Sequence, residues 1–334
     1  MTKVFSTSLF LSLFLSLSLS SCKNAGNNEN DQQTSPSEQT AEAEAKPFFK
    51  LSLAQWSLNP LYSAGELDPM DFAETASEMG FEGIEYVTGY YASQIKDAED
   101  PQTAMQDLLE ELKAKSEEFG VENVLIMVDG EGSLASGSEQ ERQQAVENHK
   151  KWVDAAEFLG CHSIRVNLFG TTDPEEWKQN SVAGLRALSE YAAGKNINVL
   201  VENHGQLSSH AGHLADVMDE VDLSNCGTLP DFGNFCIRRE SGQQWAGSCA
   251  EEYPIYQGVE EMMPYAKAVS AKSYDFDESG QETTIDFNRM LQLVKDAGYT
   301  GYVGVEYEGS RLPSKEGILA TKDLLIEEGI KLNQ

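Results

Sequence analysis

The chain has 334 residues and carries 55 acidic side chains against 24 basic ones, a formal net charge of −31 at pH 7. Proteins that bind nucleic acids gain affinity largely by neutralising phosphates with Lys and Arg, so this charge argues against a nucleic-acid ligand. It also disfavours other polyanions at the surface, which makes a neutral or cationic small molecule the easier partner.

The N-terminal segment predicts export. Residues 4–21 are mainly Val, Phe, Leu, Ser and Thr, they follow Lys3, and they end in small residues directly before Cys22. This pattern resembles the signal peptide and lipobox of bacterial lipoproteins. We therefore predict a signal peptide over residues 1–21 and an acylated Cys22 that anchors the protein to the cell envelope, on the periplasmic or outer membrane face. A transmembrane helix is the alternative, but the interspersed serines disfavour it.

The next segment predicts a tether. Residues 23–46 are mostly Asn, Gln, Ser, Thr, Glu and Ala, with almost nothing to bury, as is typical of a disordered chain. We assign residues 22–49 to the acylated cysteine and this tether, with the lipid as the only membrane contact. The remainder, 50–334, has a length usual for a single α/β barrel.

Eight short apolar runs follow, beginning near residues 51, 83, 122, 162, 197, 227, 268 and 302. Each interval is long enough for one crossover helix, and most intervals carry helical spacing of apolar residues. Glycines stand shortly before several runs, where helix ends favour them: Gly80, Gly120, Gly160, Gly194 and Gly298. The pattern predicts a single (β/α)8 TIM barrel. An open doubly wound sheet is the alternative, but the chain lacks the Gly-rich phosphate turn after the first strand.

Polar side chains end the predicted strands, where the active site of a TIM barrel is built. They are Gln55, Trp56, Glu85, Asp129, Arg165, Asn167, Glu202, His204, Asp231, Asn234, Lys272, Asp275, Glu306 and Glu308. One carboxylate at a strand end is equally explained as a helix N-cap. Glu202, Asp231 and Glu306 differ, because each ends a buried run and the three come from separate strands of one ring. Three converging anions need a proton or a cation, which favours a divalent metal.

Three motifs, VENHG (201–205), PDFGN (230–234) and VGVEYEG (303–309), resemble the sugar phosphate isomerase/epimerase family of xylose isomerase-like barrels. The resemblance covers nearly all of residues 50–330. It implies three metal ligands: Glu202, Asp231 and Glu306. It also implies that Glu202 and Glu306 face the substrate from opposite sides as the catalytic acid and base.

The chain departs from this family on the seventh barrel strand. The family usually supplies a histidine ligand in a His-x-Lys-Asp pattern, whereas this chain has Ser270, although it keeps Lys272. Three alternatives stay open: His204 completes the site, oxygen ligands and water hold the metal, or metal binding is lost. Oxygen-rich coordination favours Mn²⁺ or Mg²⁺ over Zn²⁺.

The implied reaction begins with proton abstraction next to the carbonyl of a keto-sugar and passes through an enediolate. An enzyme with this chemistry is an isomerase or epimerase. If the intermediate expels a group, the enzyme is a lyase or hydratase. A lipid-anchored sugar-binding barrel without catalysis is the competing hypothesis, and Ser270 supports it. A phosphorylated substrate is not expected, since no basic cluster is evident. The candidate substrate-binding residues are Trp56, Glu85, Arg165, His204, Asn234, Lys272 and Glu308.

A long stretch without clear periodicity, residues 232–256, follows the sixth run. It contains Cys236 and Cys249, for which we predict a disulfide in an exported protein. With Arg238 and Arg239 it is either a lid that recognises an acidic or carbonyl-bearing substrate or a stapled surface loop. Trp56 and Trp245 are candidates for stacking on a sugar, with core packing as the alternative. The remaining residues of interest are assigned structural or surface roles: Cys161, Cys226, His149, His162, His210 and His213.

Overall fold

The structure, a computed structural model, describes residues 45–334. The predicted signal peptide, Cys22 and most of the predicted tether lie outside the described residues. None of the helices described in 45–334 is long and apolar enough to cross a membrane.

Within this part the chain forms ten strands and ten α-helices. The strands are β1 Lys50–Ala54, β2 Gly83–Val87, β3 Glu122–Met127, β4 Ser163–Val166, β5 Asn198–Glu202, β6 Cys226–Leu229, β7 Cys236–Arg239, β8 Cys249–Glu252, β9 Val269–Ser273 and β10 Tyr302–Tyr307. The helices are α1 Asn59–Ala64, α2 Phe72–Glu78, α3 Ala92–Lys96, α4 Pro101–Phe119, α5 Glu139–Leu159, α6 Pro174–Ala193, α7 Ala211–Val221, α8 Ile255–Met262, α9 Phe287–Asp296 and α10 Ser314–Leu332. The eight apolar runs all form strands, each beginning within one residue of its predicted start.

These eight strands form one parallel sheet in the order β6-β5-β4-β3-β2-β1-β10-β9. The outer strands β6 and β9 are joined by isolated parallel bridges, Thr228 with Ala266 and Asp231 with Ser270. The Ser270 amide donates to the Pro230 carbonyl at 2.9 Å, and the Phe232 amide donates to the Ser270 carbonyl at 3.1 Å. These bonds close the sheet, and the predicted TIM barrel is confirmed.

The helix ends follow from local sequence. Asp100, Ser138 and Asp173 each accept a backbone N–H in the first turn of the long helices α4, α5 and α6, which satisfies donors that the helix leaves unpaired. Gly194, predicted as a left-handed cap, is instead right-handed with φ −64°. Asn196 takes the left-handed conformation before β5, with φ 58°, because asparagine tolerates it better than most residues.

The folded part begins slightly earlier than the predicted boundary at residue 50. Phe49 is buried in the core and Phe48 packs against it. A Cβ added to Gly329 of α10 would come within 2.6 Å of the Pro47 side chain. The residues just before β1 therefore pack on the end of the last helix.

The stretch expected to lack regular structure contains an antiparallel hairpin, β7 paired with β8, in which Cys236 faces Glu252 and Arg239 faces Cys249. Cys236 and Cys249 form a disulfide with a Cα–Cα distance of 5.7 Å, the pair that the sequence favours. The strands have four residues each and an irregular register, so no alternating pattern marks them in the sequence.

Candidate active site

Three carboxylates meet at the carboxyl ends of the barrel strands. Glu202 is the last residue of β5, Asp231 follows β6, and Glu306 lies near the end of β10. All three are buried, and one carboxylate oxygen from each lies within 4.8 Å of the other two. The closed ring of parallel strands thus brings together the three residues singled out from the sequence.

The PDFGN turn fixes the orientation of Asp231. The Oδ1 atom accepts the backbone N–H groups of Gly233 and Asn234, both at 2.8 Å. The Asn203 side chain accepts the Asp231 N–H at 2.7 Å and donates to the Asp231 carbonyl at 2.9 Å. The other carboxylate oxygen, Oδ2, is therefore left facing the neighbouring strand β9.

Ser270 of β9 lies between two of the carboxylates. Its Oγ is 2.6 Å from Asp231 Oδ2 and 2.8 Å from Glu306 Oε2. A hydroxyl has a single proton, so it donates to one carboxylate at a time. Burial raises the pKa of Asp231 and raises that of Glu306 well above its usual range, so a proton on one carboxyl can complete the pair of bonds.

Two buried cations contact the cluster. Lys272 Nζ lies 3.6 Å from Glu306 Oε1 and 3.4 Å from Glu308 Oε2, while Arg165 Nε lies 2.8 Å from Glu202 Oε2. Burial alone would lower the pKa of Lys272, but the surrounding carboxylates hold it well above its usual value. Burial raises the pKa of Glu202, and the Arg165 and Lys272 charges oppose that rise.

The residues present fit a divalent metal. The cluster contains two cations, Arg165 and Lys272. The carboxylates in contact with them or with one another number five: Glu202, Asp231, Glu306, Glu308 and Asp129. When all are ionised the group therefore has an excess of three negative charges, five minus two. A divalent cation would offset most of it, and carboxylate and hydroxyl oxygens are the donors that hard cations prefer.

His204 is not part of the carboxylate cluster. Its Nδ1 lies 2.7 Å from Asn167 Oδ1, and Asn167 Nδ2 in turn donates to Asp129 Oδ1 at 2.7 Å. This chain of bonds assigns the imidazole proton to Nδ1 and leaves Nε2 as an acceptor. Burial, with the nearby Arg165 and Lys272 charges, lowers the pKa of His204 to about 3, so the ring is neutral at pH 7.

A cavity of about 770 Å³ opens above the carboxylates. Six of the seven predicted substrate-binding residues line it: Trp56, Arg165, His204, Asn234, Lys272 and Glu308. At its rim Trp56 Nε1 donates to Glu308 Oε1 at 2.6 Å. Asn234 Nδ2 donates to Glu202 Oε1 at 2.9 Å, so this residue also orients a predicted catalytic carboxylate.

Glu85, the seventh predicted substrate-binding residue, lies elsewhere. It is buried within the barrel, accepts a hydrogen bond from Ser52 Oγ at 2.6 Å, and is not part of the cavity wall. A Cβ at Gly304 would lie 2.5 Å from Glu85 Oε1, so the carboxyl packs against β10 in place of a side chain there. Glu85 is in the middle of β2, two residues before its end, so its side chain lies below the mouth.

The cavity wall contains further residues, of which the sequence had not singled out Phe169, Tyr274 and Gln244. The only sequence feature that could have indicated Phe169 is its position two residues after Asn167, since residues two apart in an extended chain point to the same side. The hairpin segment contributes Arg239, Gln244 and Trp245. Arg238, in contrast, is exposed and lies 3.4 Å from Glu251 on the partner strand.

A profile of the family described as xylose isomerase-like TIM barrel matches residues 73–330. The chain belongs to this family. The family predicted from the three motifs is thereby confirmed.

Solved structures share the fold at low sequence identity. The 3-keto-D-glucoside 4-epimerase of E. coli has a TM-score of 0.59 and 16% identity, over 77% of this chain and 94% of that one. The IOLI protein with a bound zinc atom has a TM-score of 0.60 and 16% identity, over 85% and 99%. Sugar epimerases and isomerases are thus among the structural neighbours.

One curated relative matches a short segment. The 3'-dehydrocarminate deglycosidase alpha subunit of Microbacterium sp. is 42% identical over 48 residues. The match spans 14% of this chain and 14% of the length of that protein.

Proposed function

We propose that this protein is a metal-dependent enzyme that removes a proton next to the carbonyl of a keto-sugar and returns it, so that the sugar is epimerised or isomerised. The observation that carries the proposal is the convergence of buried Glu202, Asp231 and Glu306 at the carboxyl ends of the barrel strands, where Glu306 lines the 770 Å³ cavity. A carboxyl group transfers protons best when its pKa lies near the working pH, and burial raises the pKa of all three.

The metal would be held by Glu202, Asp231 and Glu306, with the Ser270 hydroxyl as a further oxygen in reach of two of them. When bound, a divalent cation stabilises negative charge that develops on the oxygens of the substrate. The oxygen donors favour Mn²⁺ or Mg²⁺, while the zinc of the IOLI structure keeps Zn²⁺ among the metals to be tested.

The side chains around the cluster supply the remaining roles. Glu202 and Glu306 come from strands β5 and β10 on different sides of the ring, so one accepts the proton and the other returns it. Lys272 keeps its charge in the cavity wall and donates to Asn234 Oδ1 at 3.1 Å, within reach of substrate oxygens as well. The neutral Nε2 of His204 accepts a sugar hydroxyl.

The cavity favours an uncharged sugar over a sugar phosphate. Arg165 and Lys272 already face carboxylates. The third cation of the wall, Arg239, donates to the carbonyls of Gln244 and Gly247 at 3.0 and 2.9 Å. A carbonyl-bearing substrate is supported by the names of the E. coli 3-keto-D-glucoside 4-epimerase and the 3'-dehydrocarminate deglycosidase subunit.

A second candidate reaction is elimination. The same proton removal makes the group at the β carbon of the ketone a leaving group, so one site serves epimerisation and lyase chemistry. The short match to a deglycosidase alpha subunit supports this alternative.

We further propose that the enzyme acts outside the cytoplasm on a lipid anchor at Cys22. The signal-like residues 1–21 and the Cys236–Cys249 disulfide support this location, since disulfides persist in oxidising compartments.

Solvent deuterium exchange tests the function. The full mature protein, supplied with Mn²⁺, Mg²⁺ or Zn²⁺, is incubated in D₂O with methyl 3-keto-β-D-glucoside, and NMR follows the C–H groups beside the ketone. We expect deuterium in an epimer for an epimerase, and release of methanol for a lyase. Glu202→Gln and Glu306→Gln should lower exchange by a factor on the order of 10² to 10⁴.

Glu308→Gln is the matched control, because Glu308 lies just beyond the end of β10 and contacts Trp56. It should keep the exchange rate at saturation and raise KM. If the protein binds the sugar but catalyses no deuterium exchange with any of the three metals, the proposed enzymatic function is wrong and a sugar-binding barrel is favoured.

A further inference from the structure

Three rings form a slot at the mouth of the cavity, and the proposed chemistry uses none of their faces. We call Phe169, His204 and Trp245 the aromatic slot. The Trp245 ring centroid lies 4.7 Å from that of His204 and 6.1 Å from that of Phe169, with interplanar angles of 47° and 82°. Trp245 is 54% exposed. A single exposed tryptophan means little, so the question is whether the chain holds this one in place.

The hairpin holds the loop that carries Trp245. Arg239 binds the carbonyls of Gln244 and Gly247, on both sides of Trp245 in sequence. The Glu240 amide donates to the Ser248 carbonyl at 3.0 Å, and the Cys236–Cys249 disulfide joins the two strands. These bonds hold the loop between β7 and β8 in one conformation and so fix the position of Trp245.

The barrel is matched to this tryptophan at Gly205. This residue has φ +89° and ψ 164°, a conformation open essentially to glycine alone. A Cβ there would be 3.6 Å from Trp245 Cη2, an ordinary van der Waals distance, so the indole lies against the backbone that follows His204. The glycine of the VENHG motif is needed for the turn of the chain, and the turn places this backbone next to the indole.

The slot lies outward of the reacting carboxylates. Glu202 and His204 are two residues apart in β5 and the segment after it, and both the His204 ring and Trp245 line the same cavity. A sugar whose carbonyl lies beside Glu202 would direct a substituent toward the slot. The cavity volume of about 770 Å³ lies in the range of sites for ligands much larger than one hexose.

We propose that the aromatic slot binds the ring of a glycosidic substituent, so that the substrate is a glycoside of a keto-sugar and not a free monosaccharide. This inference rests on the proposed function and specifies its substrate class. The shared chemistry is a ring with an apolar face, found in an aryl aglycone and in a second sugar. Packing of such a ring on tryptophan contributes about tenfold in affinity.

The test measures binding, so it does not depend on turnover. Calorimetry on the full mature protein compares methyl β-D-glucoside, phenyl β-D-glucoside and cellobiose, which share one sugar and differ in the substituent. We expect the parent to bind a ring-bearing glycoside about tenfold tighter than the methyl glucoside. Trp245→Ala should remove that difference and leave the methyl glucoside affinity unchanged, while Trp245→Phe should keep most of it.

Phe158→Ala serves as the matched control, because Phe158 is a similarly exposed aromatic on α5 and is not part of the cavity wall. It should change no affinity. A preference for phenyl glucoside identifies an aryl aglycone, and one for cellobiose identifies a second sugar. The proposed role of the aromatic slot is wrong if all three ligands bind equally or if none binds. It is also wrong if Trp245→Ala keeps the preference of the parent. Deuterium exchange into methyl 3-keto-β-D-glucoside tests the proposed function separately.

Discussion

Ser270 shows how much one residue alters the chemistry of a site. Its hydroxyl lies between Asp231 and Glu306, where the family usually has an imidazole. A serine is too short to replace a histidine ligand, yet it provides the two carboxyls with a hydrogen-bond partner. With His204 engaged by Asn167, the donors that surround Ser270 are oxygens.

The sequence predicted the three carboxylates because strand ends of one barrel must meet. It could not predict the chain of bonds from His204 through Asn167 to Asp129, which depends on side-chain rotamers on neighbouring strands. Nor could it show how deep the Glu85 side chain lies in the barrel, because the predicted run GIEYV matches β2, Gly83–Val87, and Glu85 is its middle residue.

Glu85 gives a pH prediction. Burial raises its pKa to about 7, and the Ser52 hydrogen bond opposes that rise. The folded state therefore favours the neutral Glu85 carboxyl. The stability of the protein does not suffer from Glu85 below the unfolded pKa of about 4.5, where the carboxyl is neutral in both states. As pH rises through about 7, ionisation of Glu85 lowers the free energy of unfolding. Across that pH window the free energy of unfolding of the parent should fall by on the order of 3 kcal/mol. The Glu85→Gln variant should not show this fall, because the glutamine side chain has no proton to lose.

Urea unfolding at pH 4.5 and pH 8 measures this difference. The free energy of unfolding of Glu85→Gln minus that of the parent should rise with pH. Glu278→Gln, at an exposed loop position, is the matched substitution and should show no such rise. A constant difference for Glu85→Gln would contradict a neutral carboxyl inside the barrel.

At the scale of elements, strands and hairpin differ in how far the sequence determines them. Buried barrel strands such as β5, Asn198–Glu202, are recognisable because their central residues are all apolar. The β7–β8 hairpin is not, because its register is irregular and contacts distant in sequence hold it. Since this hairpin carries part of the cavity wall, the least predictable element is also the one that bears on the substrate.

The disulfide gives a prediction at this scale. Cys236→Ser with Cys249→Ser opens a loop with a sequence separation of 13, for which the chain-entropy model gives a contribution of about 3 kcal/mol. We expect a lower midpoint of denaturant unfolding, and a loss of the preference for ring-bearing glycosides. Deuterium exchange into the methyl keto-glucoside should persist, because Glu202 and Glu306 are on barrel strands.

Cys226→Ser controls for the loss of a thiol, since Cys226 is free. It should leave the glycoside preference unchanged. Peptide mapping of the unreduced parent should recover Cys236 and Cys249 in one cross-linked fragment. Two free thiols, or a double variant as stable as the parent, would refute the role of the disulfide.

For the whole molecule, the barrel and the predicted export signal lie in separate parts of the chain. The family profile begins at residue 73, and the formal net charge of −31 on the whole chain disfavours adsorption to anionic lipid headgroups. An acidic barrel of this kind would leave the membrane unless it were anchored covalently. The predicted anchor at Cys22 is therefore the feature that would retain the enzyme at the envelope.

The last prediction follows from this. Cys22→Ala removes the only thiol at the predicted cleavage site, so the variant should stay unprocessed or be released in soluble form. Membrane fractionation and intact mass distinguish the outcomes, because the parent should be membrane-bound and carry acyl chains on a chain beginning at Cys22. Cys161→Ser, which alters a buried thiol of the barrel, is the control and should remain in the membrane fraction. If Cys22→Ala has the same mass shift and the same membrane association as the parent, the protein is not a lipoprotein, and residues 4–21 would have to hold it there as a membrane-spanning segment instead.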